Sequence, residues 1–98
     1  MIRNIQTGNT ETIVYTFKVN AATVSLTSVE FILYTSTPTA IRTLILGTDE
    51  ELTETSTGIY EVVLETDELA VGTYYAELSG HYAGYKYLKR DGVRVAFY

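Results

Sequence analysis

The chain reads as an all-β protein, a two-layer sandwich of about seven antiparallel strands with one short helical turn at most. Three observations predict this. Apolar and polar residues alternate over several short runs, the period of a half-buried strand, and no window carries a 3.6-residue apolar stripe. Turn-forming residues separate these runs at the spacing of short strands. The stretch Gly58–Ala76 joins an alternating strand to the corner Leu69-x-x-Gly72-x-Tyr74-x-Ala76. Sandwich domains place a tyrosine at such a corner, its hydroxyl bonded back to upstream backbone.

The elements follow in order. Ile2 and Ile5 mark a short first strand. Glu11–Val19 sets Ile13, Tyr15, Phe17 and Val19 on one face and Thr12, Val14, Thr16 and Lys18 on the other. Asn20–Ser25 is a polar connector. Ser28–Tyr34 carries Val29, Phe31 and Leu33 inward, and Glu30, Ile32 and Tyr34 make its second face fairly apolar, as in a covered strand. Thr35–Thr39 turns around the only proline, Pro38. Ala40–Leu46 is a fourth strand, and Gly47–Thr57 a polar loop. Gly58–Glu65 is the fifth strand, with Tyr60, Val62 and Leu64 in the core and Glu61 and Glu65 outside. Thr66–Val71 is the one place for a helical turn, with Leu69 as its buried plug. Thr73–Ser79 is the sixth strand, with Tyr74, Ala76 and Leu78 inward and Tyr75 and Glu77 outward. Gly80–Gly84 is a turn. Tyr85–Phe97 is a long last strand interrupted at Arg90-Asp91-Gly92. Asp-Gly between alternating runs suits either a hairpin or a bulge within one edge strand. The bulge is preferred, because one long strand closes the sandwich against both its predecessor and the N-terminal strand.

Size and charge narrow the function. Ninety-eight residues, 46% of them apolar, support one core. There is no cysteine, hence no disulfide or thiolate metal site. The start lacks the apolar run of a secretory signal, so synthesis in the cytoplasm is expected. No segment has the length of a membrane span. The net charge is −5, and seven basic residues are too few for a phosphate-neutralising surface, so no nucleic-acid partner is expected. Five of those seven are Lys18, Lys86, Lys89, Arg90 and Arg94. They form a basic patch that reads either as charge protecting an edge strand or as a docking surface for an acidic partner.

Catalytic groups are scarce. The one histidine, His81, sits with Ser79 on a predicted turn rather than across a pocket, and no strand–elbow–helix supports a nucleophile. Asp49-Glu50-Glu51 and Glu65-x-Asp67-Glu68 are acidic loops, read as solvated, although Ca²⁺ can sit between such loops in sandwiches. No metal, cofactor or catalytic residue is assigned. The unusual surface feature is aromatic: Tyr75, Tyr82, Tyr85 and Tyr87 flank the Gly80–Gly84 turn, with His81, Lys86 and Lys89 among them. Tyrosine enriches binding surfaces and equally stabilises hairpins. Tyr75, His81, Tyr82, Tyr85, Tyr87, Lys89, Arg90 and Arg94 are therefore the candidate interaction residues.

The motifs resemble those of small immunoglobulin-like domains in bacteriophage virions. The likeness is carried by the strands Ile2–Gln6, Thr12–Val19 and Val29–Tyr34, by Gly58-Ile59-Tyr60, by the corner Leu69–Glu77, and by the terminal Val93-Arg94-Val95. It implies an immunoglobulin-like sandwich and a non-enzymatic structural role: a capsid auxiliary or decoration protein bound to the major capsid protein shell. The partners implied are other virion proteins and further copies of the chain. A baseplate or tail adaptor is the alternative within the family, and a carbohydrate-binding or adhesion module, resting on the tyrosines, is the alternative outside it. Taken as a complete product, a chain stopping at Tyr98 fits a stand-alone accessory protein better than an adaptor domain.

Overall fold

The computed structural model describes residues 2–67 and 69–97. Among these residues ten strands form: β1 (Ile2–Gln6), β2 (Thr10–Thr16), β3 (Lys18–Val19), β4 (Ala22–Thr23), β5 (Thr27–Thr35), β6 (Ala40–Ile45), β7 (Leu52–Ser56), β8 (Ile59–Glu65), β9 (Gly72–Tyr82) and β10 (Tyr85–Ala96). One sheet has the order β1-β10-β9-β5-β6, the other β2-β8-β7, and β3-β4 is a two-strand ribbon. The fold is an immunoglobulin-like sandwich. β2, β8 and β7 occupy its B, E and D positions, and β10, β9, β5 and β6 its G, F, C and C′ positions. All pairs are antiparallel except β1 with β10, which is parallel, correcting the expectation of a wholly antiparallel fold.

Alternation places most of the core. Ile13 and Tyr15 of β2 and Tyr60, Val62 and Leu64 of β8 face Val29, Phe31 and Leu33 of β5 and Tyr74, Ala76 and Leu78 of β9, all buried. Val93 and Val95 of β10 and Ile5 of β1 complete one side. Each buried Val, Leu, Ile or Phe among them contributes about 1.5–3 kcal/mol. At the corner, the buried Tyr74 donates its hydroxyl to the Ala70 carbonyl at 2.5 Å. This is the tyrosine corner the sequence predicts. The fully buried Thr66 anchors the same corner, its hydroxyl donating to the Asn9 carbonyl at 2.7 Å.

Several expectations need correction. The strand predicted over Glu11–Val19 breaks at Phe17. Its N–H donates to Gly58 O (2.9 Å) and its carbonyl accepts from Val24 N–H (3.1 Å), so the chain leaves the sheet there. Lys18–Val19 then pairs with Ala22–Thr23 around Asn20 and Ala21, both at positive φ, within what reads as a plain connector. Val19 is half-buried rather than core. The loop predicted over Gly47–Thr57 contains β7, an edge strand whose only inward apolar residue is Leu52, so no alternation reveals it. Glu68 lies outside the described residues; the rest of Thr66–Val71 is a turn, not a helix, closed by Leu69 N–H donating to Thr66 O at 3.1 Å, with Leu69 half-buried.

The last two strands differ most. β9 runs on through Gly80 and His81 to Tyr82, so the turn is only Ala83-Gly84. β10 pairs with β9 in one unbroken register from Tyr85↔Tyr82 to Val95↔Gly72, with neither hairpin nor bulge at Arg90-Asp91-Gly92. At about 3.3 Å per residue the twelve residues of β10 span roughly 40 Å. That matches the 41 Å long axis of the molecule. The other sheet, with strands of five to seven residues, is much shorter. The long hairpin therefore overhangs it.

Candidate functional site

The overhanging hairpin owes its register to its turn. Ala83 and Gly84 have φ of 52° and 83°, as a two-residue type I′ turn requires. Tyr82 and Tyr85 close it as a directly opposed pair, 37% and 70% exposed. From there the two strands carry their side chains to opposite faces.

On the inward face Tyr82 and Tyr85 stand beyond the core. Tyr87 is half-buried and packs against it, and Lys89 lies over the Phe17 ring with Nζ 5.6 Å from the centroid. An open cleft of ≈ 550 Å³ runs between Thr16–Lys18 and Tyr87–Lys89. Phe17 also packs edge-on against Tyr60, ring centroids 6.0 Å apart.

On the outward face His81 stands exposed opposite Lys86, on a strand rather than a turn. Arg94 stands exposed opposite Thr73. Arg90 donates Nε (2.9 Å) and Nη2 (2.6 Å) to one oxygen of Glu77, whose side chain is only 8% exposed. Those hydrogen bonds and the Glu77 charge raise the already high pKa of Arg90. Tyr75 does not join the other tyrosines. It lies on this outward face, seven positions from Tyr82, opposite Tyr34. With Tyr34, Ser36, Pro38 and Arg90 it lines a shallow groove of ≈ 390 Å³.

The predicted site thus divides in two. Tyr82, Tyr85, Tyr87 and Lys89 are brought together at one end, with His81 behind them. Tyr75, Arg90 and Arg94 belong to the outer sheet face. Glu77, Tyr34, Ser36 and Pro38 were missed. Glu77 was findable: it and Arg90 lie equally far on either side of the Ala83-Gly84 turn, so they are cross-strand neighbours once that turn is recognised.

Two carboxylates of the polar loop have structural partners. Asp49 Oδ2 accepts Ile45 N–H at 2.8 Å. Glu54 Oε2 accepts from the Ser25 hydroxyl (2.6 Å) and Gly58 N–H (3.0 Å), and these bonds, Ser25's above all, hold the Glu54 carboxyl below its usual pKa. Its neighbour Tyr60 accepts Leu26 N–H at 2.8 Å in the buried interior. Burial raises the Tyr60 pKa, and burial with the Asp91 charge raises that of Tyr15. Among the described residues no group of three His, Asp or Glu converges to hold a metal ion, and no helix is long and apolar enough to cross a membrane. No protein-family model, curated protein sequence or solved structure matches this chain.

Proposed function

We propose that this chain is a non-enzymatic structural component of a bacteriophage virion, a small immunoglobulin-like module that binds a capsid protein shell by surface complementarity. The virion assignment rests on the sequence motifs. The observation that supports docking is the overhanging hairpin. It presents Tyr82 and Tyr85 beyond the core and the basic residues Lys86, Lys89, Arg90 and Arg94 along its outer strand. Tyrosine offers a large contact area at low entropic cost, and the basic strand favours an acidic partner. The one imidazole stands on an exposed strand opposite a lysine, which supports a non-catalytic reading.

Proteomic mass spectrometry of purified particles from a source carrying this coding sequence tests the proposal. The expected result is the chain at a copy number comparable to a shell protein, and its absence from the particles overturns the assignment. The groove between Tyr34 and Tyr75 favours a second reading, stacking of sugar rings on exposed aromatic faces. A glycan array with signal lost in Tyr75→Ala supports it, and a silent array removes it.

A further inference from the structure

We propose that the edge of β10 between Lys86 and Arg90 binds an extended acidic peptide segment of a partner protein as an added β-strand. The inference rests on the docking role above and specifies its mode.

The backbone supplies the first argument. β1 pairs with β10 only from Gly92 to Ala96. Thr7 N–H donates to the Ala96 carbonyl at 2.8 Å, which puts the even-numbered peptide groups of β10 on the β1 side. Lys86, Leu88 and Arg90 point theirs the same way, past the end of β1. The odd-numbered Tyr87, Lys89 and Asp91 face β9 opposite Gly80, Leu78 and Ala76. Among the described residues no strand pairs with β10 beyond Gly92 on that side. Three donors and three acceptors are thus in line for a new strand, which would continue the sheet where β1 stops.

The side chains supply the second. An added strand alternates its residues between two faces. On one face lies the open cleft of ≈ 550 Å³, lined by half-buried Tyr87, by Lys18 and by Lys89, which lies over the ring of buried Phe17. On the other lies Leu88, 45% exposed between Lys86 and Arg90. Each face offers an apolar surface beside positive charge.

Charge selects the occupant. Four of the seven basic residues, Lys18, Lys86, Lys89 and Arg90, lie along this edge and its cleft on a chain of net charge −5. Arg90 is occupied by Glu77, but Lys18 and Lys86 have no ion-pair partner among the described residues. Their charges repel a second copy's β10 edge and attract a carboxylate-bearing strand. The rival edge, β6, is capped at Ile45, whose N–H is taken by Asp49 and whose carbonyl accepts from Thr48 and Asp49 N–H.

The probe is a capped eight-residue peptide alternating Glu and Val, with a Lys-for-Glu version as control. Amide hydrogen exchange is read by NMR on the intact chain. Saturating acidic peptide is expected to slow exchange about tenfold or more at Lys86, Leu88 and Arg90, and not at Ile41 or Thr43 of β6. The lysine peptide is expected to do nothing. Leu88→Pro deletes the central outward donor without touching the β9 ladder and abolishes the effect. If that variant does not fold, the double variant Lys86→Glu/Lys89→Glu carries the same expectation. No protection at these three amides, protection elsewhere instead, or equal protection by the lysine peptide overturns the proposal. A chain present in particles with these amides unprotected keeps the docking role and loses this mode. A chain that binds the peptide but is missing from particles keeps the mode and loses the virion role.

Discussion

Two Tyr→Phe substitutions in one core should move stability in opposite directions. Tyr60 is fully buried and its hydroxyl accepts Leu26 N–H at 2.8 Å. Tyr60→Phe keeps the ring, its volume and its edge-on contact with Phe17, so no cavity opens. The loss is one acceptor, and a buried N–H left without its partner costs about 1–3 kcal/mol. The same hydroxyl helps stabilise the Glu54 carboxylate, and that contribution goes with it. A loss of about 2 kcal/mol raises the unfolding constant roughly 30-fold. For a domain of this size it lowers Tm by about 8–16 °C.

Tyr15 is also buried, but its hydroxyl has no hydrogen-bond partner among the described residues. Tyr15→Phe removes an unpaired polar group from the interior and leaves the ring against Phe31, so Tm should hold or rise. Thermal and urea unfolding followed by circular dichroism measures both. A Tyr60→Phe variant as stable as the parent, or a Tyr15→Phe variant that falls as far as Tyr60→Phe, would show that these hydroxyls do not differ in this way.

Other outcomes follow from the same structure. Ala83 holds φ 52° at a turn position that favours Asn or Gly. Ala83→Asn should therefore stabilise by about 0.5–1 kcal/mol, read as a higher urea midpoint at unchanged slope. Gly58 has φ +75° and an added Cβ would lie 2.7 Å from Val24 O and 3.0 Å from Phe17 O. Gly58→Ala should cost about 2 kcal/mol or more, because the atoms in the way are backbone. Stability should fall at both pH extremes. Glu54 is held below its usual pKa, so its contribution is present above about pH 4.5 and fades as pH falls through the lowered value. Tyr15 and Tyr60 are raised, so the unfolded chain ionises first and stability declines as pH rises past about 10. Urea titrations across pH should show Glu54→Gln flattening the acid limb and Tyr15→Phe the alkaline one.

How far the sequence carried depends on which residues face inward. Strands with several inward apolar residues, such as Val29–Leu33 and Tyr60–Leu64, declared themselves. So did the corner, because Tyr74 needs both a buried ring and an upstream carbonyl. β7 stayed hidden because Leu52 alone turns inward and an edge strand of Thr, Glu and Ser reads as a loop. Gly80 misled because glycine marks turns, whereas here the missing side chain gives Leu26 its seat: a Cβ on Gly80 would lie 2.7 Å from Leu26 Cβ. The true turn centres on an alanine, a residue with no left-handed preference to signal it. That error misplaced the tyrosines as one cluster and hid the Glu77–Arg90 pair. The tie between Tyr60 and Leu26 has no sequence signal, since its donor is a backbone N–H thirty-four residues away.

Site-specific photo-crosslinking in purified particles tests the proposed docking face. A crosslinking side chain is placed at Leu88 on the free edge of β10, and in a second variant at Thr12 on the outward face of the three-stranded sheet. The expected result is a covalent adduct between position 88 and a virion shell protein, mapped to an acidic segment, with position 12 silent. Adducts at position 12 with none at position 88 would contradict it.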